Sequence, residues 1–321
     1  MTTVLIITYK AAEELHNCLA SLHNQTHTDF SISVVYTGNR PTGIGEHINL
    51  YKSPVNGYSF AVNVGISNHP DDDIILLNDD TIATSNFVEE LVANAPSPGI
   101  YQPQICLAAN SGIVENCGHW VHPDGFNFAR GRGQTTDTPL PNSLLCFSGA
   151  AVYIHREVIR QVGPFDEDLG FFGEDLDWSL RAIRLGYPIR YVPSAKISHI
   201  LGASYGRANK EKAYLVEKNR IQAIIRSFPK RDLSILPFWL AMRLLKQGIG
   251  SVLGLGVAGF DGNEMLRGAI KGNIAGTMSI PNALQKRISD ARHWKQTSAE
   301  FRRQLYGQLP PLRDIWHPKL R

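Results

Sequence analysis

Asn78, Asp79 and Asp80 follow directly on an aliphatic run, residues 74–77. Such a run is what a strand covered on both faces shows, and in open α/β sheets ligands bind beyond the carboxyl ends of such strands. Two carboxylates there suit a hard divalent cation. Asn and Asp are also ordinary turn residues, so this stretch alone fits a polar turn equally well. A second acidic pair, Glu174 and Asp175, opens a segment in which Leu176, Leu180 and Ile183 share one helical face that ends before Gly186. Acids in a first turn complement the helix dipole, which accounts for one carboxylate. Phe171, Phe172 and Gly173 just before them form an apolar approach suited to a pocket wall.

The elements that must position these groups alternate. "VLIITY" (4–9), "SISVVY" (31–36) and "HINLYK" (47–52) are strand-like, and Ala12, Leu15, Leu19 and Leu22 are at helical spacing between the first two. "NGYSFAVNVGI" (56–66) predicts a glycine-opened helix with Phe60 and Val64, and with them Ala61, facing inward. A strand over 74–77 and a helix over 86–94 follow. This β-α-β-β-α-β-α rhythm implies a mainly parallel, three-layer α/β sheet. Residues 99–132 read as glycine- and aromatic-rich hairpins and loops, 144–154 as an apolar strand, "REVIRQVG" as a short helix and 189–199 as a strand.

Composition bounds the class. At 321 residues and 43% hydrophobic, the chain suffices for one large α/β domain plus an appendage. The four cysteines show no zinc-type grouping and are expected as reduced core thiols of a cytosolic protein. No basic leader precedes the first strand, and no uncharged apolar stretch has the length of a spanning helix, so neither a signal peptide nor a membrane crossing is expected. Residues 229–321 hold 15 Lys/Arg against 6 Asp/Glu, while residues 1–228 hold 17 against 23. That split predicts a catalytic domain over 1–228 and a basic, amphipathic helical extension over 229–321. The extension includes Phe238, Trp239, Leu240, Leu244, Leu245, Ile249 and Leu253, and ends in "WHPKLR". It fits an anionic membrane surface, or packing on the catalytic domain or a second subunit as a homodimer, with the glycines of 248–262 suited to close helix packing. No motif for nucleic acid accompanies the charge, so none is expected as a partner.

Taken in order, "IITYK", "NGYSFAVNVG", "LLNDDT", "SGAAVYIHREVIRQVGPFDED", "FFGEDLDWSLRAIRLGY" and "YVPSAKISHILGAS" resemble the family-2 inverting glycosyltransferases with a GT-A fold, over roughly residues 3–225. The rhamnosyltransferase-like branch that builds bacterial surface glycans is the most similar. The resemblance implies transfer of a sugar, rhamnose among the candidates, from a nucleotide-diphospho-sugar to a glycan or lipid-linked glycan acceptor. It places the work at the cytoplasmic side of the cell envelope, with a peripheral position on the inner leaflet open. By the same resemblance Asp80 and His199 are implied as ligands of a divalent metal, Mn or Mg, with Asp79 beside the ribose or metal. Asp175 is implied as the catalytic base, Thr8, Tyr9, Asn56, Gly57, Asn63 and Asn78 as donor-binding positions, and Gly149, Phe172 and Glu174 as the acceptor-side wall. Asp177 reads as a partner of Arg181 four residues on.

Two positions depart from the family's pattern. Where relatives carry an Asp that reads the nucleobase this chain offers Tyr36 and Thr37, so Tyr36 is expected to stack on the base, and Lys10 replaces an Asn after Tyr9. An imidazole ligand favours manganese somewhat over magnesium. The rival readings are a sugar-phosphate nucleotidyltransferase and an inactive carbohydrate- or partner-binding module. "TYKAAEEL" lacks the glycine- and arginine-rich phosphate loop of the first, and the joint presence of Asp80, Asp175 and His199 argues against the second.

Overall fold

The computed structural model describes residues 1–9, 13–200, 209–252 and 262–309, and the chain divides into two compact units. Met1–His119, Ala129–Gly170 and Tyr187–Gly206 form one, built on a sheet; Trp120–Phe128, Phe171–Gly186 and Arg207–Arg321 form the other, mostly helical. In chain order the elements are β1 (Thr2–Thr8), α1 (Glu13–His23), β2 (Ser31–Tyr36), β3 (Asn49–Lys52), α2 (Tyr58–Ser67), β4 (Asp73–Asn78), β5 (Thr81–Ala83), α3 (Phe87–Ala93), β6 (Ile100–Leu107) and β7 (Asn110–Asn116). The small hairpin β8 (His119–Val121) and β9 (Asn127–Ala129) leads to β10 (Ser143–Leu144), β11 (Ala151–Ile154), α4 (Arg156–Val162), α5 (Glu174–Arg184) and β12 (Ile189–His199). Helices α6 (Lys210–Ser227), α7 (Lys230–Ser234), α8 (Leu236–Val252), α9 (Gly262–Met278), α10 (Ile280–Ala291) and α11 (Ser298–Gly307) complete it.

The sheet runs β10-β12-β6-β11-β4-β1-β2-β3, with β5 added to β12 and β7 to β6. Its longest ladders, β6/β12, β1/β2 and β1/β4, are parallel, as the alternating pattern predicts. Val4, Leu5, Ile6, Val34, Val35 and residues 74–77 are fully buried, the signature of strands covered on both faces. Leu15, Cys18, Leu19 and Leu22 of α1 pack into the same core as Val4, Ile6 and Val34. All four cysteines are free and buried, and burial pushes the thiol of Cys18 up to about 12 and that of Cys117 up to about 11.

Three expectations are corrected. In α2 the inward face is Tyr58, Ala61, Val62 and Gly65, whereas Phe60 and Val64 are half-buried. Gly65 sets this rotation, because a Cβ there would stand 2.3 Å from Leu5 Cδ2 on β1, so only glycine lets the helix lie that close. Residues 99–132 are not only hairpins and loops: β6 is buried, paired to β11, β12 and β7. Its polar letters hide it, yet Gln102 donates to Pro103 O and Ala151 O, Gln104 reaches Thr136 O and the Tyr191 hydroxyl, and Pro103 sits where the ladder to β12 shifts register. The apolar stretch 144–154 breaks into β10 and β11, and the Gln102 amide oxygen accepts from Ser148 N in the gap between them.

In the helical unit α9 lies against α6. Cβ atoms at Gly268, Gly272 and Gly276 would stand 2.3, 2.4 and 2.9 Å from the carbonyl oxygens of Lys210, Tyr214 and Lys218. Glycine every fourth residue thus meets α6 carbonyls every fourth residue. Of the glycines expected to pack, Gly248 would have nothing within 4 Å of a Cβ, and residues 253–261, with Leu253, lie outside the described residues, as do 201–208 and "WHPKLR". Glu217 and Arg220 of α6 are buried together, Glu217 also meets half-buried Arg243 and Gln247 of α8, and Asp124 from the 122–126 turn joins Arg243 at 3.6 Å. On α8, Trp239, Leu240 and Leu244 are half-buried, while Phe238, Met242, Leu245 and Ile249 are exposed. No helix among the described residues is long and apolar enough to cross a membrane.

Candidate active site

Strand direction brings the metal candidates to one edge of the sheet. β1, β2 and β4 are mutually parallel, and β11 runs antiparallel to both β4 and β6. β6 therefore points the same way as β4, and β12, parallel to β6, points with them. Asn78 at the end of β4 and His199 at the end of β12 consequently emerge at the same carboxyl edge. The chain turns at Asp79 and Asp80 into β5, which runs antiparallel to β12 with Thr81 opposite His199. Strand order reverses between β1, which leads to β2 and β3, and β4, the crevice where such sheets bind ligands. Thr8 at the end of β1 donates to Asp79, just past the end of β4, across that crevice at 2.5 Å.

Asp80 and His199, 119 positions apart by their numbers, are in contact: Nε2 lies 3.1 Å from Asp80 Oδ1. The other ring nitrogen, Nδ1, lies 2.9 Å from Glu115 Oε2. Burial alone would lower the imidazole pKa, but the bonds to Asp80 and Glu115 outweigh it and push it up to about 10. In the protonated state the ring is thus clamped between two carboxylates. Asp79 and Asp80 are 6% and 3% exposed, so these acids are not a solvated turn. The donor chemistry, carboxylate from Asp80 and imidazole from His199, fits a first-row divalent transition-metal ion such as Mn2+ better than Mg2+. Sequence reasoning missed Glu115. Its one sequence signal is a lone carboxylate between Val114 and Cys117, in a run that the structure buries throughout.

The donor candidates separate into groups. Thr37 N donates to Thr8 O and Thr37 Oγ1 reaches Asn56 Oδ1 at 3.5 Å, which gathers Thr8, Thr37 and exposed Asn56 beside the end of β2. Tyr36 is buried in that strand, with its carbonyl accepting from Ser53 N. Tyr9 is half-buried just past β1, and Lys10 lies outside the described residues. Gly57 precedes α2, where a Cβ would stand 2.9 Å from the Phe60 ring. Gly149 O accepts from the Tyr58 hydroxyl at 2.7 Å, tying the 149 loop to the start of α2. Asn63 engages protein: it donates to Phe165 O and Glu167 Oε1 and accepts from Phe165 N.

Phe172, Glu174 and Asp175 belong to the helical unit. Phe172 has φ 63, the one positive φ outside glycine among the described residues, and it is followed by Gly173 at φ 89. Left-handed aromatic backbone costs of order ~1–3 kcal/mol and concentrates at functional sites. Asn219 on α6 holds the turn by donating to Phe171 O and Phe172 O, and Lys212 Nζ lies 4.9 Å from the Phe172 ring centre. The turn delivers Glu174 and Asp175 as the first residues of α5. Burial, and then the neighbouring Asp175 charge, push the Glu174 carboxyl up to about 8. Asp177 pairs with Arg181 at 2.9 Å, as expected from their spacing, and also with Arg226 at 3.3 Å.

A model of glycosyl transferase family group 2 matches residues 74–253, more than half of the chain. The chain belongs to this family. Two curated relatives of this family-2 chain are pre-mycofactocin glycosyltransferases of Mycobacterium tuberculosis, from strains CDC 1551 / Oshkosh and ATCC 25618 / H37Rv. Each is 26% identical over 162 residues, covering 49% of this chain and 33% of the relative, so the match spans about a third of those proteins' length. Among solved structures, GalNAc-T7 with UDP, GalNAc and Mn2+ superposes with a TM-score of 0.60 at 13% identity, over 92% of this chain and 58% of the other. S. aureus TarS 1–349 in complex with UDP gives 0.52 at 14%, over 91% and 89%. At those identities the likeness is one of fold, and it places this family member among GT-A structures.

Proposed function

We propose that this family-2 member is a metal-dependent, inverting glycosyltransferase. It moves a sugar, with rhamnose among the donors to test, from a nucleotide-diphospho-sugar to a hydroxyl of a glycan or lipid-linked glycan. The observation that carries the reading is the Asp80–His199 contact at the carboxyl edge of the sheet, 3.1 Å from imidazole to carboxylate. A fold neighbour solved with UDP and Mn2+ and a second solved with UDP support it. Asp80 and His199 would hold the divalent ion, which when bound supplies Lewis-acid stabilisation of a leaving diphosphate. Asp79, fixed by Thr8, would line the donor side with Asn78, Asn56 and Gly57. Asp175, at the N-terminus of α5, would take the proton of the attacking hydroxyl; a single base opposite the leaving group inverts the anomeric centre.

The test is a panel of UDP- and dTDP-sugars, read by calorimetry and thermal protection with Mn2+ and again with EDTA. Binding of at least one donor that EDTA abolishes is expected. Equal affinity in both conditions overturns the metal role, and no affinity for any nucleotide-sugar overturns the reading altogether.

For the lipid-linked acceptor, we read α8 as resting on the anionic inner leaflet. Phe238, Met242, Leu245 and Ile249 recur at helical spacing and are 60%, 45%, 56% and 50% exposed. The helix contains no acid, and Lys246 is exposed beside the stripe. Apolar faces edged by cations lie in lipid interfaces.

A further inference from the structure

We propose that Glu115 is a positioning residue: accepting from His199 Nδ1–H, it fixes the ring orientation and keeps Nδ1 as the protonated nitrogen, leaving Nε2, turned toward Asp80, as the nitrogen offered to an ion. The inference rests on the reading of Asp80 and His199 as metal ligands. The two ring nitrogens are chemically distinct, and the bond one makes decides what the other can do. Here Nδ1 faces both Glu115 oxygens, Oε2 at 2.9 Å and Oε1 at 3.1 Å, while Nε2 faces Asp80 Oδ1 at 3.1 Å. Glu115 therefore stands on the side of the ring opposite Asp80. From there it can steer the imidazole but cannot share an ion held at Nε2.

The backbone supplies a reason for Glu115 to reach this position. In the β6/β7 ladder Ile105 pairs with Asn116 and Cys106 with Val114, so Glu115 is the extra residue of a bulge. A bulge re-aims one side chain out of the regular alternation. β12 runs along the other side of β6 and places His199 opposite Leu107. The bulge on one neighbour of β6 thus throws a carboxylate toward the last residue of the other neighbour. Glu115 and His199 side chains are 9% and 12% exposed, so water competes poorly for this bond. Carboxylate partners on the distal nitrogen of a metal-bound histidine hold its orientation, and losing them typically weakens metal affinity ~10–100-fold.

The experiment compares Mn2+ affinity, from the free-ion EPR signal, for the wild-type chain, Glu115→Gln, Glu115→Leu and His199→Ala. Glutamine keeps an oxygen that can accept from Nδ1–H, and leucine does not. Affinity close to wild type in Glu115→Gln with a loss of ~10–100-fold in Glu115→Leu is expected. Glu115→Leu binding as tightly as wild type, or glutamine as damaging as leucine, overturns the assignment. Wild type and His199→Ala binding Mn2+ alike overturns instead the metal reading beneath it. Should Glu115→Leu fail to fold, 15N-histidine spectra of the Zn2+-loaded wild type decide. Protonated Nδ1 on His199 is expected, and protonated Nε2 overturns the proposal.

Discussion

Glu174 and Asp175 are adjacent carboxylates at the start of one helix, and their tasks are expected to differ. Asp175→Asn should leave fold and donor affinity intact and lower turnover by at least ~10²-fold, as loss of a general base does. Single-turnover rates with a saturating donor check this, and near-normal turnover removes Asp175 from the chemistry. Glu174 has a pKa raised from 4.5 to about 8, first by burial and then by the Asp175 charge. The folded state therefore holds its proton more tightly than the unfolded state. Stability from this group is complete below pH 4.5 and is lost as pH rises toward 8. Melting temperatures of Glu174→Gln should accordingly fall less over that window than those of the wild type; parallel curves would mean that Glu174 titrates normally. Asn63 adds a structural consequence. Its amide makes three bonds to the 165–167 segment, so Asn63→Ala should destabilise the chain by ~1–3 kcal/mol in denaturant unfolding, separately from any effect on donor KM.

At the scale of elements, the contact between α6 and α9 depends on glycine. Alanine is a better helix former than glycine by about 1 kcal/mol, yet a Cβ at Gly272 would stand 2.4 Å from a backbone oxygen that no side-chain rotation can move away. Overpacking of that kind costs ~1–3 kcal/mol or more, so the clash wins. Gly272→Ala should lower stability, whereas Gly248→Ala on α8, where nothing lies within 4 Å, should raise it by ~0.5–1 kcal/mol. Urea midpoints of the two variants moving in the same direction would refute this account. The same helices explain what could be read beforehand. Leu176, Leu180 and Ile183 set α5 by periodicity alone, and α5 spans Glu174–Arg184 as that periodicity implies. β6 could not be found that way, because its glutamines satisfy partners brought from Thr136, Ala151 and Tyr191. In α2, periodicity gave a helix, but contact between Gly65 and Leu5 chose the buried face.

On the scale of the whole molecule, two predictions concern charge and surface. Burial alone would raise the Glu217 carboxyl, but Arg243 and Arg220 outweigh it and hold it down to about 2. Its stabilising effect is therefore complete above 4.5 and lost as pH falls toward 2, the opposite sign to Glu174. Glu217→Leu should cost ~3–5 kcal/mol at neutral pH, because the buried Arg220 and the half-buried Arg243 lose their partner, and should blunt acid unfolding in that window. If α8 rests on lipid, the full chain should sediment with anionic vesicles at low salt, and Phe238→Ser/Leu245→Ser should release it. A chain that stays in the supernatant, and turns from dimer to monomer with those substitutions, would make the stripe an interface between copies. The amino-acid sequence by itself determined the alternation of strands and helices, the apolar run that buries β4, the acids at its end and the basic bias after residue 229, because each is local and follows from period, composition and order. Tertiary structure alone decided that His199 meets Asp80, that a bulge turns Glu115 onto the far side of that ring, and that Gly268, Gly272 and Gly276 of α9 meet the carbonyls of α6. Those outcomes depend on strand order, ladder register and the approach of backbones distant in the chain, and no short window of residues contains them.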